Sequence, residues 1–265
     1  MHNMKIGFFD SGLGGLTILR AAIKELPDYD YVYYGDTLHL PYGDKTEEEI
    51  FTLSKAGIEY LFERGCVLVV VACNTASAET LRNLQDSWLL EQYPGRKVLG
   101  VIVPTIETVL ESNLTDIALL ATTRTVESDK YKLELQNRSK RAVTLTQIAA
   151  PELVPVIELN ELEAAAQAAI DRIENQAGES KGVILGCTHY TQITEQLRLH
   201  FGEEKYIFSQ DEIIPRKLFS YLQNHPEIEM QLSRTGERSI HLTQHRPDYD
   251  IIMGQFLGGV FLAEE

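Results

Sequence analysis

The stretch that decides the fold is Val67-Leu68-Val69-Val70-Val71-Ala72-Cys73-Asn74-Thr75-Ala76-Ser77. Its unbroken run of apolar and β-branched residues predicts a buried parallel strand, and the residues that end it predict a thiol at the carboxyl end of that strand. A second copy of the pattern occurs at Gly182-Val183-Ile184-Leu185-Gly186-Cys187-Thr188-His189-Tyr190. Open α/β sheets keep their chemistry at the carboxyl ends of strands, so we expect Cys73 and Cys187 to form a facing pair.

Composition narrows the class of protein. The chain has 265 residues and 44% hydrophobic content, enough for one large α/β unit or two ordinary domains. The formal charge is −15 and the 24 basic residues form no run, so nucleic acid is not expected as the main partner. No apolar run approaches the roughly 20 residues of a membrane span, and the first strand begins too early for a signal peptide. We therefore expect a cytoplasmic protein with no membrane partner.

Cysteine usage points to reduced thiols. Cys66, Cys73 and Cys187 have no CxxC or CxxH spacing, which disfavours a disulfide framework or a zinc cluster. Cys66 stands at the start of its strand, away from the functional end, and is expected to be a buried structural cysteine. No metal site is predicted.

Two loops follow the early strands. The strand Lys5–Phe9 runs into Asp10-Ser11-Gly12-Leu13-Gly14-Gly15, whose glycines permit a turn with N–H groups open toward an anion. Thr17 stands where a dinucleotide fingerprint needs its third glycine, so nucleotide binding is disfavoured. The strand Tyr31–Tyr34 ends in Gly35-Asp36-Thr37, ahead of Pro41-Tyr42-Gly43. From these residues alone, Asp10 is either a turn cap or a chemical group, and the second loop is either a plain turn or a substrate loop.

The second half of the chain parallels the first. The strand Ile117–Leu120 leads into a hydroxyl-rich loop that begins at Thr122, and the Cys187 strand closes this half. We therefore predict an α/β fold of two pseudo-symmetric α/β domains with mainly parallel sheets, formed by residues 1–97 plus 210–265 and by residues 98–209. A strand at Ile240–Leu242 and a helix at Tyr249–Leu262 should pack back onto the first domain, whereas residues 225–237 should be an exposed loop.

Five motifs, in order along most of the chain, resemble those of the cofactor-independent glutamate racemases of the aspartate/glutamate racemase superfamily. They are Asp10-Ser11-Gly12-Leu13-Gly14-Gly15, Gly35-Asp36-Thr37 with Pro41-Tyr42-Gly43, Ala72-Cys73-Asn74-Thr75-Ala76-Ser77, Val154-Pro155 with Glu158, and Gly186-Cys187-Thr188-His189-Tyr190. The resemblance implies an active site in the cleft between two domains, interconversion of L- and D-glutamate, and supply of D-glutamate for bacterial peptidoglycan. It also implies no cofactor and a homodimer. The departures from the family pattern are His39, Thr105, Arg124 and Thr191.

Racemisation without pyridoxal phosphate needs an acid/base group on each face of the α-carbon, and we assign Cys73 and Cys187 to those faces. Helix N-termini after both strands should favour the thiolate. The resemblance places Asp10 beside Cys73 and His189 beside Cys187, with Asp36 and Glu158 in supporting catalytic roles. The predicted substrate-binding residues are Asp10, Ser11, Pro41, Tyr42, Gly43, Asn74, Thr75, Thr122, Thr188 and His189.

Two alternatives keep the fold and change the function. One is a racemase of the same superfamily that acts on aspartate or another small amino acid, for which Arg124 and Thr191 leave room. The other is a catalytically silent binding protein on the same scaffold, against which the presence of both thiols argues. If the side chain of Arg124 enters the pocket, substrate preference or rate would differ from the family norm.

Overall fold

The computed structural model describes residues 3–258 and 263–264. The strands are β1 Lys5–Asp10, β2 Tyr31–Gly35, β3 Cys66–Val71, β4 Lys97–Gly100, β5 Asp116–Ala121, β6 Thr144–Ala149, β7 Gly182–Gly186, β8 Tyr206–Phe208, β9 Arg238–Leu242 and β10 Ala263–Glu264. The α-helices are α1 Leu16–Glu25, α2 Glu47–Glu63, α3 Asn74–Glu79, α4 Leu81–Asn83, α5 Leu89–Gln92, α6 Ile102–Glu111, α7 Thr123–Glu127, α8 Lys130–Arg138, α9 Leu153–Glu158, α10 Leu162–Ala177, α11 Thr194–Phe201, α12 Gln210–Asn224, α13 Pro226–Glu229 and α14 Pro247–Leu257. Short 3-10 segments cover Thr37–His39, Tyr42–Asp44 and Thr188–Ile193, and a π-helical turn covers Leu84–Trp88.

The strands form two parallel sheets in the part of the chain described. The six-stranded sheet has the order β10-β9-β2-β1-β3-β4, and every pairing in it is parallel. Phe9 of β1 pairs with Val71 of β3, and Asp10 pairs with Gly35 of β2. The loops that follow β1, β2 and β3 therefore leave the sheet at one edge, where parallel α/β sheets place their ligands.

The four-stranded sheet repeats this arrangement, with the order β6-β5-β7-β8. Ala121, the last residue of β5, pairs with Gly186, the last residue of β7. Thr122 and Cys187 are therefore neighbours at the carboxyl edge of the second sheet. This confirms the prediction of an α/β fold with two parallel sheets.

The decisive strand β3 is buried throughout, which explains its continuous apolar sequence. Apolar and polar residues do not alternate along it because both of its faces are covered: Leu68 and Val70 pack into one hydrophobic cluster, and Val69 and Val71 pack into the other. Cys66 is fully buried, and burial raises the pKa of its thiol to about 12. Cys66 is buried, as predicted.

Strand β4 pairs with β3 and runs to Gly100, so the first sheet extends past the expected boundary at residue 97. The helical segment after Cys73 is interrupted at Thr80 and includes the π-helical turn. Residues 225–237 are not an exposed loop, because they contain α13 and bury Leu232.

The C-terminal segment returns to the first sheet, as predicted. Strand β9 pairs in parallel with β2, and α14 packs against α1. Part of the helix predicted at Tyr249–Leu262 is α14, and residues 259–262 lie outside the described residues. The carboxylate of Asp30 holds the segment before β9 in place. It accepts hydrogen bonds from Ser233 Oγ at 2.5 Å and from the backbone N–H of Glu237 at 3.0 Å. None of the helices in residues 3–258 is long and apolar enough to cross a membrane.

Candidate active site

The first wall of the candidate site is built from the ends of β1 and β3. Asp10 is 1% exposed, and one of its oxygens accepts a hydrogen bond from the backbone N–H of Gly12 at 3.0 Å. Its other oxygen, Oδ1, is buried without a hydrogen-bond partner among the described residues. Burial raises the pKa of Asp10, although the charge of His189 opposes the shift. Asp10 thus offers a buried, available oxygen next to the glycine loop.

Cys73 occupies the N-cap of α3. Its thiol donates to Ser11 Oγ at 3.3 Å, and its sulfur accepts from the backbone N–H of Ala76 at 3.4 Å. Burial raises the pKa of Cys73 to about 12, and the charge of Asp10 adds to the shift. The N–H of Ala76 lowers the pKa of Cys73, as expected of a helix N-terminus, but burial outweighs this contact and the net shift is upward.

On the second wall, Cys187, His189 and Glu158 form a chain of contacts, with His189 in the middle. His189 Nδ1 lies 3.9 Å from Cys187 Sγ, and His189 Nε2 lies 2.9 Å from Glu158 Oε1. Burial lowers the pKa of His189, but the contacts with Cys187 and Glu158 outweigh it and raise the pKa from 6.5 to about 10. The edge of the ring packs against Phe256 at 5.6 Å between centroids. At neutral pH, His189 is therefore held as an imidazolium beside Cys187.

The two walls meet closely at Gly14. A Cβ atom added to Gly14 would lie 2.3 Å from Thr188 Oγ1 and 2.6 Å from His189 Nδ1, so no side chain fits there. Thr191 Oγ1 donates to Thr17 Oγ1 at 3.1 Å across the same boundary. Thr191, which departs from the family pattern, is thus a link between the two halves.

The charge of Cys187 acts on Cys73, so the two sulfurs lie close enough to interact electrostatically. The charge of Cys187 is among the groups that raise the pKa of Cys73, after burial and the charge of Asp10. Both cysteines are nearly buried, at 6% and 7% exposure. The structure thus brings Asp10, Cys73, Cys187 and His189 into one neighbourhood.

Asp36 is occupied by other partners. Its carboxylate accepts hydrogen bonds from Tyr42 Oη at 2.7 Å and Thr243 Oγ1 at 2.9 Å, and it lies 2.7 Å from His39 Nδ1. Burial raises the pKa of Tyr42, and the charge of Asp36 adds to the shift. Both carboxylate oxygens of Asp36 are therefore engaged, one by Tyr42 and the other by Thr243 and His39. His39, another departure from the family pattern, is part of the same cluster.

The remaining predicted binding residues differ in their surroundings. Pro41 is exposed, and the Leu40–Pro41 peptide bond is cis. Gly43 faces open space, because a Cβ atom there would meet nothing within 4 Å. Thr75 Oγ1 and Thr122 Oγ1 lie 3.1 Å apart and join α3 to the start of α7.

Arg124 is engaged by an acidic partner. Its NH2 group donates to Glu79 Oε2 at 3.2 Å, and its Nε lies 2.8 Å from Glu79 Oε1 in a poorly directed contact. The ion pair connects α7 to the end of α3. Arg124 is therefore not a free cation for a substrate carboxylate.

Sequence reasoning missed a buried amide network beside Asn74. Asn74 bonds to Gln210 and Tyr131, and Gln210 also bonds to Thr105. Thr105 was noted as a departure from the family pattern, but nothing in the spacing of Gln210 or Tyr131 signals that they meet Asn74.

A cavity of about 820 Å³ lies between α6 and α12, and none of the predicted site residues lines it. Its charged residues are largely paired with each other, as Lys217 is with Glu107 and Glu111. Within residues 3–258, no group of three His, Cys, Asp or Glu side chains is arranged to hold a metal ion.

The sequence model of the Asp/Glu/Hydantoin racemase family matches residues 17–210 of the chain. The chain belongs to this family. A relative from Jannaschia sp. (strain CCS1), named glutamate racemase, is 39% identical over 241 residues, which cover 85% of this chain and 87% of the relative.

Solved structures of this racemase family have the same fold. A glutamate racemase isoform of Bacillus anthracis superimposes with a TM-score of 0.87 at 28% identity, covering 100% of this chain and 97% of that one. An Escherichia coli glutamate racemase in complex with L-glutamate and an activator superimposes with a TM-score of 0.75 at 26% identity, covering 99% of this chain and 97% of that one.

Proposed function

We propose that this racemase-family chain interconverts L- and D-glutamate without an organic cofactor, using Cys73 and Cys187 as the two acid/base groups. The observation that carries the proposal is the pair of sulfurs, one beside Asp10 and one beside the His189–Glu158 pair, in walls that touch at Gly14. The names of the relatives, and the L-glutamate in the Escherichia coli complex, favour glutamate as the substrate.

The arrangement suits a proton transfer across one carbon. A thiolate on one wall removes the Cα proton, and the thiol on the other wall returns a proton to the opposite face, so the thiol and thiolate have exchanged places after each turnover. An imidazolium at His189 is a counter-ion for a thiolate at Cys187. Cys73, whose pKa burial raises, starts as the proton donor in one direction of the reaction, and the two cysteines exchange roles in the other direction.

We propose that neutral donors bind most of the substrate. In this proposal the hydroxyl of Ser11 donates to a carboxylate, together with backbone N–H groups at the start of α3 other than that of Ala76, which donates to Cys73. In this proposal Oδ1 of Asp10, which has no hydrogen-bond partner among the described residues, accepts from the substrate ammonium. Arg124 contributes no free charge, because it is paired with Glu79.

The central experiment follows Cα exchange and racemisation together. L-glutamate and D-glutamate are incubated separately with the protein in heavy water, and the products are measured by circular dichroism and NMR. The proposal expects deuterium at Cα in the enantiomer that forms. No exchange under any condition would leave the silent binding protein, and faster turnover of aspartate would support the alternative substrate.

Three single substitutions distinguish the roles of the three cysteines. Cys73→Ala and Cys187→Ala should each abolish racemisation, because each removes the proton carrier on one face. Cys66→Ala is the matched control, since Cys66 is buried at the other end of β3, and it should retain activity. Full turnover by either of the first two variants would refute the two-base assignment.

The proposal also covers the use of the product, the location of the protein, its oligomeric state and its domains. We propose that the D-glutamate product serves peptidoglycan synthesis in the cytoplasm, and that the 29.9 kDa chain acts as a homodimer. We also propose a division into two domains, with the cleft between them and the first domain continued to Gly100 by β4. Rescue of a D-glutamate auxotroph would test the role, and sedimentation would test the dimer.

A further inference from the structure

Asn74, the residue after Cys73, forms a closed amide pair with Gln210. The side-chain N–H of Asn74 donates to Gln210 Oε1 at 2.7 Å, and Gln210 Nε2 donates back to Asn74 Oδ1 at 3.0 Å. Two further groups surround the pair: Gln210 Nε2 lies 3.0 Å from Tyr131 Oη and 3.2 Å from Thr105 Oγ1. Tyr131 Oη in turn donates to Asn74 Oδ1 at 2.7 Å.

This network joins four helices at a fully buried point. Asn74 begins α3, Thr105 lies in α6, Tyr131 lies in α8 and Gln210 begins α12. Gln210, Thr105 and Tyr131 are 0% exposed, and Asn74 is 3% exposed. A buried network whose members are all paired holds its side chains in one arrangement, because any alternative leaves a polar atom without a partner.

The network neighbours both cysteines. Asn74 follows Cys73 in sequence, and the Cys73 sulfur accepts from the first turn of the helix that Asn74 begins. On the other side, Tyr131 is close enough to Cys187 that the charge of Cys187 adds to the effect of burial in raising the Tyr131 pKa. A change in the orientation of Asn74 would therefore move the start of α3 and, with it, the Cys73 sulfur.

We propose that Gln210 is a positioning residue that holds Cys73 at the correct place for proton transfer, an inference that rests on the proposed racemase function. Gln210 does not touch the substrate in this proposal. It acts through Asn74, whose amide it binds with both donor and acceptor. Small displacements of a reacting group are costly, so loss of the amide pair should lower kcat by about 10- to 100-fold.

Comparing the two directions of the reaction can show whether Gln210 acts on Cys73. Because the two enantiomers are equally stable, kcat/KM must fall by the same factor in both directions. The slowed step, however, is the transfer that involves Cys73, and Cys73 removes the Cα proton in one direction only. The primary deuterium isotope effect should therefore increase more for one enantiomer of Cα-deuterated glutamate than for the other.

The test uses Gln210→Met, which keeps the side-chain length and removes both hydrogen-bonding groups. Gln167→Met on the exposed face of α10 is the matched control and should behave as the parent protein. Tyr131→Phe is a second, milder variant that removes one donor to Asn74 and should change the isotope effects in the same sense. Urea denaturation and active-site titration give the folded fraction of each variant.

A second readout does not depend on catalysis. Each protein is treated with iodoacetamide for increasing times, and labelling of each cysteine is followed by peptide mass spectrometry. In Gln210→Met, Cys73 should be labelled several-fold faster than in the parent, because the first turn of α3 opens more often. Labelling of Cys187 should stay close to its parent rate.

The outcomes separate the alternatives. Unequal isotope effects with faster labelling of Cys73 support the positioning role. A kcat that falls only with the folded fraction, with unchanged isotope effects and unchanged labelling, overturns it and leaves Gln210 a structural residue. If the parent protein shows no racemisation, the proposed function fails, and the Cys73 labelling rate alone then decides whether Gln210 positions that thiol.

Discussion

Replacement of Glu158 by glutamine tests the electrostatics of the second wall. The substitution keeps the shape of the side chain and removes its charge, 2.9 Å from His189 Nε2. The carboxylate is 29% exposed and the imidazole 9% exposed, so the contact is mostly shielded from water. Glu158→Gln should therefore lower the pKa of His189 without moving the ring.

The size of the change in the His189 pKa follows from the contact between His189 and Glu158. Burial lowers the His189 pKa, and the contacts with Cys187 and Glu158 together raise it from 6.5 to about 10. A hydrogen bond to a charged group contributes about 1.5–3 kcal/mol, and each pKa unit corresponds to about 1.4 kcal/mol. Loss of the Glu158 charge should thus lower the His189 pKa by about 1–2 units.

The upward shift of the His189 pKa determines how the folding stability changes with pH. A histidine whose pKa is raised on folding contributes stability that is complete below its unfolded pKa of 6.5 and is lost as the pH rises through about 10. Glu158→Gln should therefore reduce the free energy of unfolding by about 1.5–3 kcal/mol near pH 8 and by much less above pH 10.

Two measurements check this reasoning. Urea denaturation at about pH 8 and about pH 10.5 compares the stability loss, and the pH profile of kcat/KM should have its basic limb moved to lower pH by about 1–2 units. Glu152→Gln is the control, because Glu152 pairs with Arg172 at the surface. An unmoved basic limb, together with the same stability loss at both pH values, would refute the assignment of Glu158 as the partner that charges His189.

The remaining predictions concern three other contacts. Thr46→Ala removes the capping box of α2 and should cost about 1 kcal/mol, measured by thermal melting; an unchanged Tm would contradict the capping role. Arg124→Ala leaves Glu79 without its partner and should cost about 1–2 kcal/mol in urea denaturation, and a loss no larger than that of exposed Arg82→Ala would show that the ion pair contributes nothing. With a pKa of about 12, Cys73 should react with iodoacetamide about a thousandfold more slowly than free cysteine near pH 8.5, and rates similar to free cysteine would show a resting thiolate.

The sequence was informative where local pattern decides structure. The apolar run of β3 and the glycine loop after β1 predicted where Cys73 and Asp10 leave the sheet, because strand direction and turn chemistry are local properties. The ionisation of Cys73 was not predictable, since its raised pKa depends on burial by the whole fold. Gln210 escaped notice for a similar reason: it meets Asn74 across 136 positions of sequence.

Contacts between distant residues also explain why the prediction for residues 225–237 was wrong. Residues 225–237 look polar and loop-like, but Asp30 accepts hydrogen bonds from Ser233 and Thr235 and fixes this segment against the first sheet. The strand at Lys97 stops at Gly100 because α6 begins at Ile102, although the apolar sequence continues. Composition alone cannot tell where a buried strand gives way to a buried helix.

The position of β9 has a consequence for synthesis on the ribosome. The four-stranded sheet needs residues no later than Phe208. Strand β2 pairs with β1 on one side, but its other side has no neighbour until β9 has been translated and has left the exit tunnel. The nascent chain therefore carries an open strand edge through most of its elongation, and such edges invite pairing with other chains. A message truncated before the codon for Arg238 would yield a polypeptide that keeps that edge permanently and is prone to aggregate.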